Sequence, residues 1–269
     1  MNNNSISPLD SRYYSKVEEL SDYLTEKSLT KYRLHVEILY LLFFLRTVNR
    51  KKVNHVINNH LVSISDSFND EEFGKIKEFE KTTNHDVKAV ELYLKSKMSG
   101  DLTDYKAFVH FGLTSEDTNN LAYAMAMKDV NKKIILPNID NLIKLIKKEA
   151  KKYKNLVMPA RTHGQKAVPT TLGKEFGVFA YRLNKYAQKL KNYEFEGKLN
   201  GAVGNYNALA LIYPSIDWIS KTRDFVENLN LKWNPLTTQI EPSDNLTDYF
   251  YLLKKINLIL QIGFLPNIF

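Results

Sequence analysis

Residues 171–193 read TLGKEFGVFAYRLNKYAQKLKNY. Leu172, Phe176, Phe179, Leu183, Tyr186, Leu190 and Tyr193 recur there at alternating steps of four and three. That spacing stacks one apolar stripe along a helix of about 25 residues, as in a coiled coil. A stripe this long needs other long helices to cover it, so the stretch argues for a helical bundle.

The same pattern extends outward. Leu34, Ile38, Leu41, Leu42 and Leu45 predict a helix over 24–48. A second starts near Asp70–Glu72, where acidic residues suit a helix N-terminus. It breaks at KTTNHD, 81–86, and resumes through Val87, Val90, Leu94 and Met98. A very long helix follows TSED, 114–117, entered with Thr114 or Ser115 as N-cap. Pro137 lies inside it and predicts a kink, because proline removes one backbone donor. GKLNGAVGNYNA, 197–208, is a glycine-rich break, a shorter helix is expected over 215–229, and another begins near Asp244. There is no convincing β alternation and no short internal repeat. The expected class is all-α: an N-terminal helical domain, 1–111, then a long-helix bundle, 112–269.

The chain has 269 residues, 43% of them hydrophobic, enough for a real core. It has no cysteine, which excludes disulfides and thiolate metal sites. MNNNSISPLD lacks the apolar core of a secretory signal. The longest strongly apolar run, ILYLLFFL at 38–45, is far short of the roughly 20 residues that span a bilayer. A cytoplasmic protein is expected. The net charge of +8 fits solvated helix faces or an anionic small substrate. The lysines are scattered rather than clustered on one face, which argues against a nucleic-acid binder.

Six histidines occur. His35 falls in a helical pattern, and His55 and His60 in a polar stretch. His85, His110 and His163 sit at breaks between helices, where functional residues concentrate. Spacing leaves three readings of these: loop histidines bonded to nearby backbone, a metal set, or catalytic groups. No HExxH pairing supports the metal. TSED reads either as a capping box or as an anion site at a helix N-terminus. GKLNGAVGN lacks the P-loop signature, and its glycines suit close backbone approach.

Taken in order, SPLDSRY, TTNHDVKAVE, FVHFGLTSEDTNN, RTHGQKAVPTTLGKE, GKLNGAVGNYNA and WNPLTTQIEP resemble the adenylosuccinate lyase family, in the bacterial purine-biosynthesis branch of the fumarase/aspartase superfamily. The resemblance runs from near residue 7 to about residue 260. An argininosuccinate lyase is the nearest alternative. The resemblance implies elimination of fumarate from adenylosuccinate, giving AMP, and from the succinyl-carboxamide ribotide of the same pathway. It implies no metal or organic cofactor. It also implies a homotetramer built around shared central helices, with each site drawing on more than one subunit; the 172–193 stripe is a candidate for that surface, or for packing within one subunit.

The family's general acid matches His163, a role histidine suits because it titrates near neutrality. His85 matches a catalytic histidine that orients and polarises the acid. Substrate-binding roles fall on Arg12 and Tyr13 for phosphate, and on Asn84, Asp86, His110, Thr114, Ser115, Gln239, Lys198 and Asn200. The family pattern continues with a loop of the form SSxMPxKxNP, which carries the general-base serine, and then a third helical domain. No such loop occurs in these 269 residues, and QIGFLPNIF, 261–269, does not resemble the family. The expectation is a C-terminally truncated lyase, through a frameshift, premature stop or split gene. The alternative is an inactive remnant or the N-terminal part of a split lyase.

Overall fold

The computed structural model describes residues 7–48, 53 and 55–264. Most of the MNNNSISPLD reading, the Lys51–Lys52 pair and the last five residues of QIGFLPNIF lie outside them. Short turns open the chain: a 3-10 turn at Pro8–Asp10, α1 (Tyr14–Val17), a 3-10 turn at Glu18–Leu20 and α2 (Ser21–Leu24). Then come α3 (Glu26–Val48), α4 (His55–Asp66), α5 (Asp70–Thr83), α6 (Asp86–Lys97), a 3-10 stretch at Gly100–Phe108 and α7 (Ser115–Val130). A π-helical stretch, Asn131–Ile135, leads into α8 (Leu136–Lys152). An antiparallel pair, β1 (Val157–Thr162) and β2 (Gln165–Thr171), precedes α9 (Leu172–Lys191). The rest is β3 (Glu196–Gly197), α10 (Asn207–Ile212), α11 (Trp218–Asn228), β4 (Lys232–Trp233) and α12 (Asp244–Phe264), with β3 and β4 paired in parallel. The molecule is essentially all-α, as expected. No described helix is long and apolar enough to cross a membrane.

The chain forms two units that interleave in sequence. The first comprises residues 1–128 and 194–242, the second residues 129–193 and 243–269.

In the first unit α3 is enclosed on most sides, as a helix rich in apolar residues all round must be. Leu34, Ile38, Leu41 and Leu45 pack with Leu61, Ile76, Val90, Tyr93 and Leu94 from α4, α5 and α6. α11 covers it with aromatics: Phe44 stacks on Trp218, with ring centroids 6.2 Å apart, and Phe43 lies 5.0 Å from Phe225. Beyond the core, Glu72 accepts hydrogen bonds from Tyr93 Oη (2.5 Å) and pairs with Lys97 (2.6 Å) and Lys75 (2.9 Å). The Lys97 bond leads in holding its carboxyl down, at about 2 against an ordinary 4.5. A depressed carboxyl stabilises the fold above its unfolded value and loses that contribution as pH falls through its folded one. Glu72→Gln is therefore expected to lower the melting temperature at pH 6. The gap from wild type should close between pH 4.5 and 2, measured by thermal melts across that range.

The second unit is built on α8, α9 and α12. Leu183 and Leu190 of the quoted stripe are buried, with Ala180 and Ala187 beside them; Leu172, Phe176, Phe179, Tyr186 and Tyr193 are half-buried. Gly173 lets α9 start against the end of α8, since a Cβ there would lie 2.4 Å from Ala150 O. The π-helical stretch precedes Pro137, whose missing N–H interrupts the regular ladder at the position expected for a kink. Its buried Asn131 donates to Leu190 O (2.9 Å) and accepts from Tyr249 Oη (3.2 Å), which ties α9 and α12 to it.

The β1–β2 hairpin departs from the sequence reading, which expected only a connection there. Pro159 and Pro169 face one another, and Ala160 opposes both Ala167 and Val168, so one residue bulges. Proline inside both strands and the slipped register hide the alternation by which strands are recognised.

Candidate active site

Four of the motif segments meet within the first unit. α5 ends at Asn84, whose left-handed φ of 49° turns the chain sharply. His85 then caps α6: its Nδ1 accepts from Lys88 N at 3.2 Å. That bond leaves the Nε2–H of the neutral ring to donate, and Nε2 lies 3.4 Å from Ser115 Oγ. The TTNHD and TSED segments therefore meet at His85 and Ser115. Asp86 is held by Arg33, at 2.6 Å.

Asp117 organises the next layer. It is fully buried and accepts from Thr114 N (2.9 Å), Asn200 N (3.1 Å) and Gly201 N (3.1 Å). The bond to Thr114 is the carboxylate half of a capping box. Asp117 also pairs with the ammonium of Lys198 at 2.8 Å, both groups wholly enclosed. Asn120 bonds both backbone groups of Lys198, donating to its carbonyl (3.1 Å) and accepting from its N–H (2.8 Å). Asn200 in turn donates to Thr237 Oγ1 at 2.8 Å, and Glu241 N donates to Glu116 at 3.4 Å. Burial raises the Glu116 carboxyl above its ordinary value. Lys198 and Asn200 are enclosed and bonded within the protein, and they hold the NGAVG segment in position.

Gly204 fixes the fit of that segment. Its φ is +79°, and a Cβ would lie 2.1 Å from Thr237 O. Gly204→Ala is expected to cost more than the roughly 1–2 kcal/mol of a left-handed alanine. Gly74→Ala, in exposed α5 with open space around it, is expected to stabilise by about 0.5–1 kcal/mol. Urea midpoints of the two variants check the contrast.

His110 has a left-handed φ of 61° and a mostly buried ring. Its Nδ1 lies 2.6 Å from Glu37 Oε1, which also accepts from Thr118 Oγ1 at 2.7 Å. Burial pulls the imidazole down, but Glu37, Glu91 and Asp117 outweigh it, so its pKa is raised. Gln239 is exposed, two residues past Thr237, and Arg12 and Tyr13 are exposed, the guanidinium 5.5 Å from the ring centre. Arg33, Glu37 and Asp117 were not singled out from sequence. Charged residues among the apolar ones of α3 were the available signal for Arg33 and Glu37, and the TSED capping box for Asp117.

His163 belongs to the second unit. With Gly164 it makes the two-residue turn between β1 and β2, at φ 52° and 74°. A two-residue hairpin turn of the mirror-image type I kind needs positive φ at both positions, and histidine is among the residues that tolerate it. The imidazole is exposed at this tip, and Arg161 Nη1 donates to Gly164 O at 3.2 Å. Among the described residues no cluster of three or more acidic or histidine side chains is placed to hold a metal.

Residues 11–262 match the protein family described as lyase. An adenylosuccinate lyase of Haemophilus influenzae is 42% identical over 261 residues, 95% of this chain and 57% of that protein. The adenylosuccinate lyase of Buchnera aphidicola subsp. Baizongia pistaciae is 45% identical over 95% of this chain and 56% of its own length. This chain thus spans somewhat over half the length of these curated relatives. A fumarate lyase from Mesorhizobium sp. BNC1 shares the fold with a TM-score of 0.74 at 17% identity, over 90% of this chain and 55% of that one. The β-carboxy-cis,cis-muconate cycloisomerase of Acinetobacter calcoaceticus gives 0.73 at 20% identity, over 92% and 57%.

Proposed function

Because the chain belongs to the lyase family, we propose that it carries the adenylosuccinate lyase reaction: elimination of fumarate from adenylosuccinate, giving AMP, and from the succinyl-carboxamide ribotide. The observation that carries this reading is the meeting of His85 and Ser115 across 3.4 Å, which joins two motif segments into one polar surface. Such an elimination passes a Cβ proton to a base, the role the family gives to the serine of its SSxMPxKxNP loop, and protonates the leaving nitrogen. His163 is the group that supplies the second proton, since imidazole exchanges protons near neutral pH. His85 orients and polarises that acid. Thr114, Ser115, Asn84 and the ring of His110 suit the substrate's carboxylates, and Arg12 with Tyr13 and Gln239 its phosphate and base. Asp86 acts through Arg33.

We further propose a homotetramer working in the cytoplasm. Exposed Leu145, Tyr181, Phe250, Tyr251 and Leu258 on α8, α9 and α12 support an assembly that covers apolar surface. The division into an N-terminal domain, 1–111, and a bundle domain, 112–269, is retained as part of this reading.

The test is fumarate release by the purified chain from adenylosuccinate, the carboxamide ribotide and argininosuccinate. Release from the first two alone is expected. Release from argininosuccinate would overturn the assignment. The chain spans 57% of the length of the Haemophilus influenzae relative. A second assay, with the remaining part of that relative added, tests whether turnover depends on it.

A further inference from the structure

Arg33, Glu37 and Tyr40 lie at steps of four and three on one face of α3, and all three are buried. Each reaches a different stretch of backbone. Arg33 pairs with Asp86 at 2.6 Å and donates through Nε to Asn119 Oδ1 at 2.8 Å. Glu37 takes His110 and Thr118. Tyr40 donates to Phe111 O at 2.6 Å. A buried guanidinium and a buried carboxylate are costly to keep inside an apolar helix unless their partners are well placed. Here the partners are the TTNHD, VHFGL and TSEDTNN segments.

We propose that Glu37 is a positioning residue: by binding His110 at Nδ1 it fixes the imidazole, leaving Nε2–H as the donor to an anionic oxygen of the substrate. This rests on the lyase reading for the identity of the ligand. A carboxylate only accepts, so Nδ1 must carry a proton, and Nε2 is the ring's remaining polar atom. The carboxylate's other oxygen, Oε2, is buried and finds no donor among the described residues, so its hydrogen bonds run through Oε1 to His110 and Thr118. The acidic groups acting on the ring are Glu37 from α3, Glu91 from α6 and Asp117 from α7. Glu91 is itself paired with Lys88 and Lys95, and Asp117 with Lys198. Of these three, Glu37 is the one hydrogen-bonded to the ring. Its charge keeps the imidazole protonated, and Nε2 a donor, to higher pH than a free histidine would allow.

The test is NMR of the full chain with 15N-labelled histidine, the His110 signals being those lost in His110→Gln. In wild type the neutral ring is expected as the Nδ1–H tautomer, with a titration midpoint above the ordinary 6.5. Glu37→Gln keeps an acceptor but removes the charge. It should retain the tautomer, lower the midpoint and weaken fumarate binding at pH 8 by about 10- to 100-fold, the worth of a charge-assisted hydrogen bond. At pH 6 the two proteins should bind fumarate far more equally. A wild-type ring found as the Nε2–H tautomer overturns the proposal without any variant having to fold. So does a midpoint that Glu37→Gln leaves in place. A chain that binds no fumarate but keeps the Glu37-dependent titration counts against the lyase reading and leaves the hold of Glu37 on His110 standing.

Discussion

Replacing His163 is expected to slow fumarate release by about 10²–10⁴-fold, the contribution of one positioned proton donor. Alanine is the wrong first choice. His163 sits at φ 52°, where a residue with a plain Cβ costs about 1–2 kcal/mol, so His163→Ala would mix a lost proton with a disturbed turn. Asparagine tolerates the left-handed region and fits the first position of an Asn-Gly turn, but it cannot donate as an acid. His163→Asn should therefore melt like wild type and still lose turnover. KM should move little if the histidine acts mainly in the transition state. Turnover that survives His163→Asn would remove this residue from the acid role, whatever the alanine variant does.

The second large effect is on stability. Asp117 and Lys198 form a fully enclosed ion pair, and removing one partner of such a pair typically costs about 3–5 kcal/mol, because the other charge stays buried. Against a total stability of about 5–15 kcal/mol that is a large share. Asp117→Asn and Lys198→Met should each lower the denaturant midpoint strongly. Asp117→Asn loses more, since the same carboxylate also holds Thr114, Asn200 and Gly201. The double variant should recover part of the loss, because neither residue then leaves a charge behind. Additive losses in the double variant would mean that the pair contributes nothing as a pair.

The helices were largely legible in the sequence. The starts of α3, α5, α7 and α12 fall within two residues of where periodicity and acidic caps predict them, and the break at KTTNHD is where Asn84 turns the chain. The hairpin at 157–171 was not legible, because its two prolines and its bulge destroy the period of two. Its turn could have been read, since His163-Gly164 between two extended runs is a residue pair that accepts positive φ. The candidate site divides in the same way. The loop histidines and hydroxyls stand out because polar residues at helix breaks are visible one by one. Arg33 and Glu37 do not, because their partners lie 53 to 86 positions away in the chain and no local pattern reports those; Asp117 shows locally only its capping bond to Thr114, not its partners at 198–201. α3, legible in the sequence by its apolar residues, is also the element whose Arg33 and Glu37 carry the polar frame.

The interleaving of the two units bears on how the protein is made. Asp117 emerges from the ribosome 83 positions before Asn200, one of the backbone donors it will bind, and the whole of residues 129–193 is synthesised in between. At about 5–20 residues per second the carboxylate waits roughly 4–17 s for its ligands. During that interval α3 lacks the aromatic cover of α11, so Phe43 is without Phe225 and Phe44 without Trp218 on the nascent chain. A pause in translation before residue 194 would lengthen the time that residues 1–128 wait for the rest of their own unit.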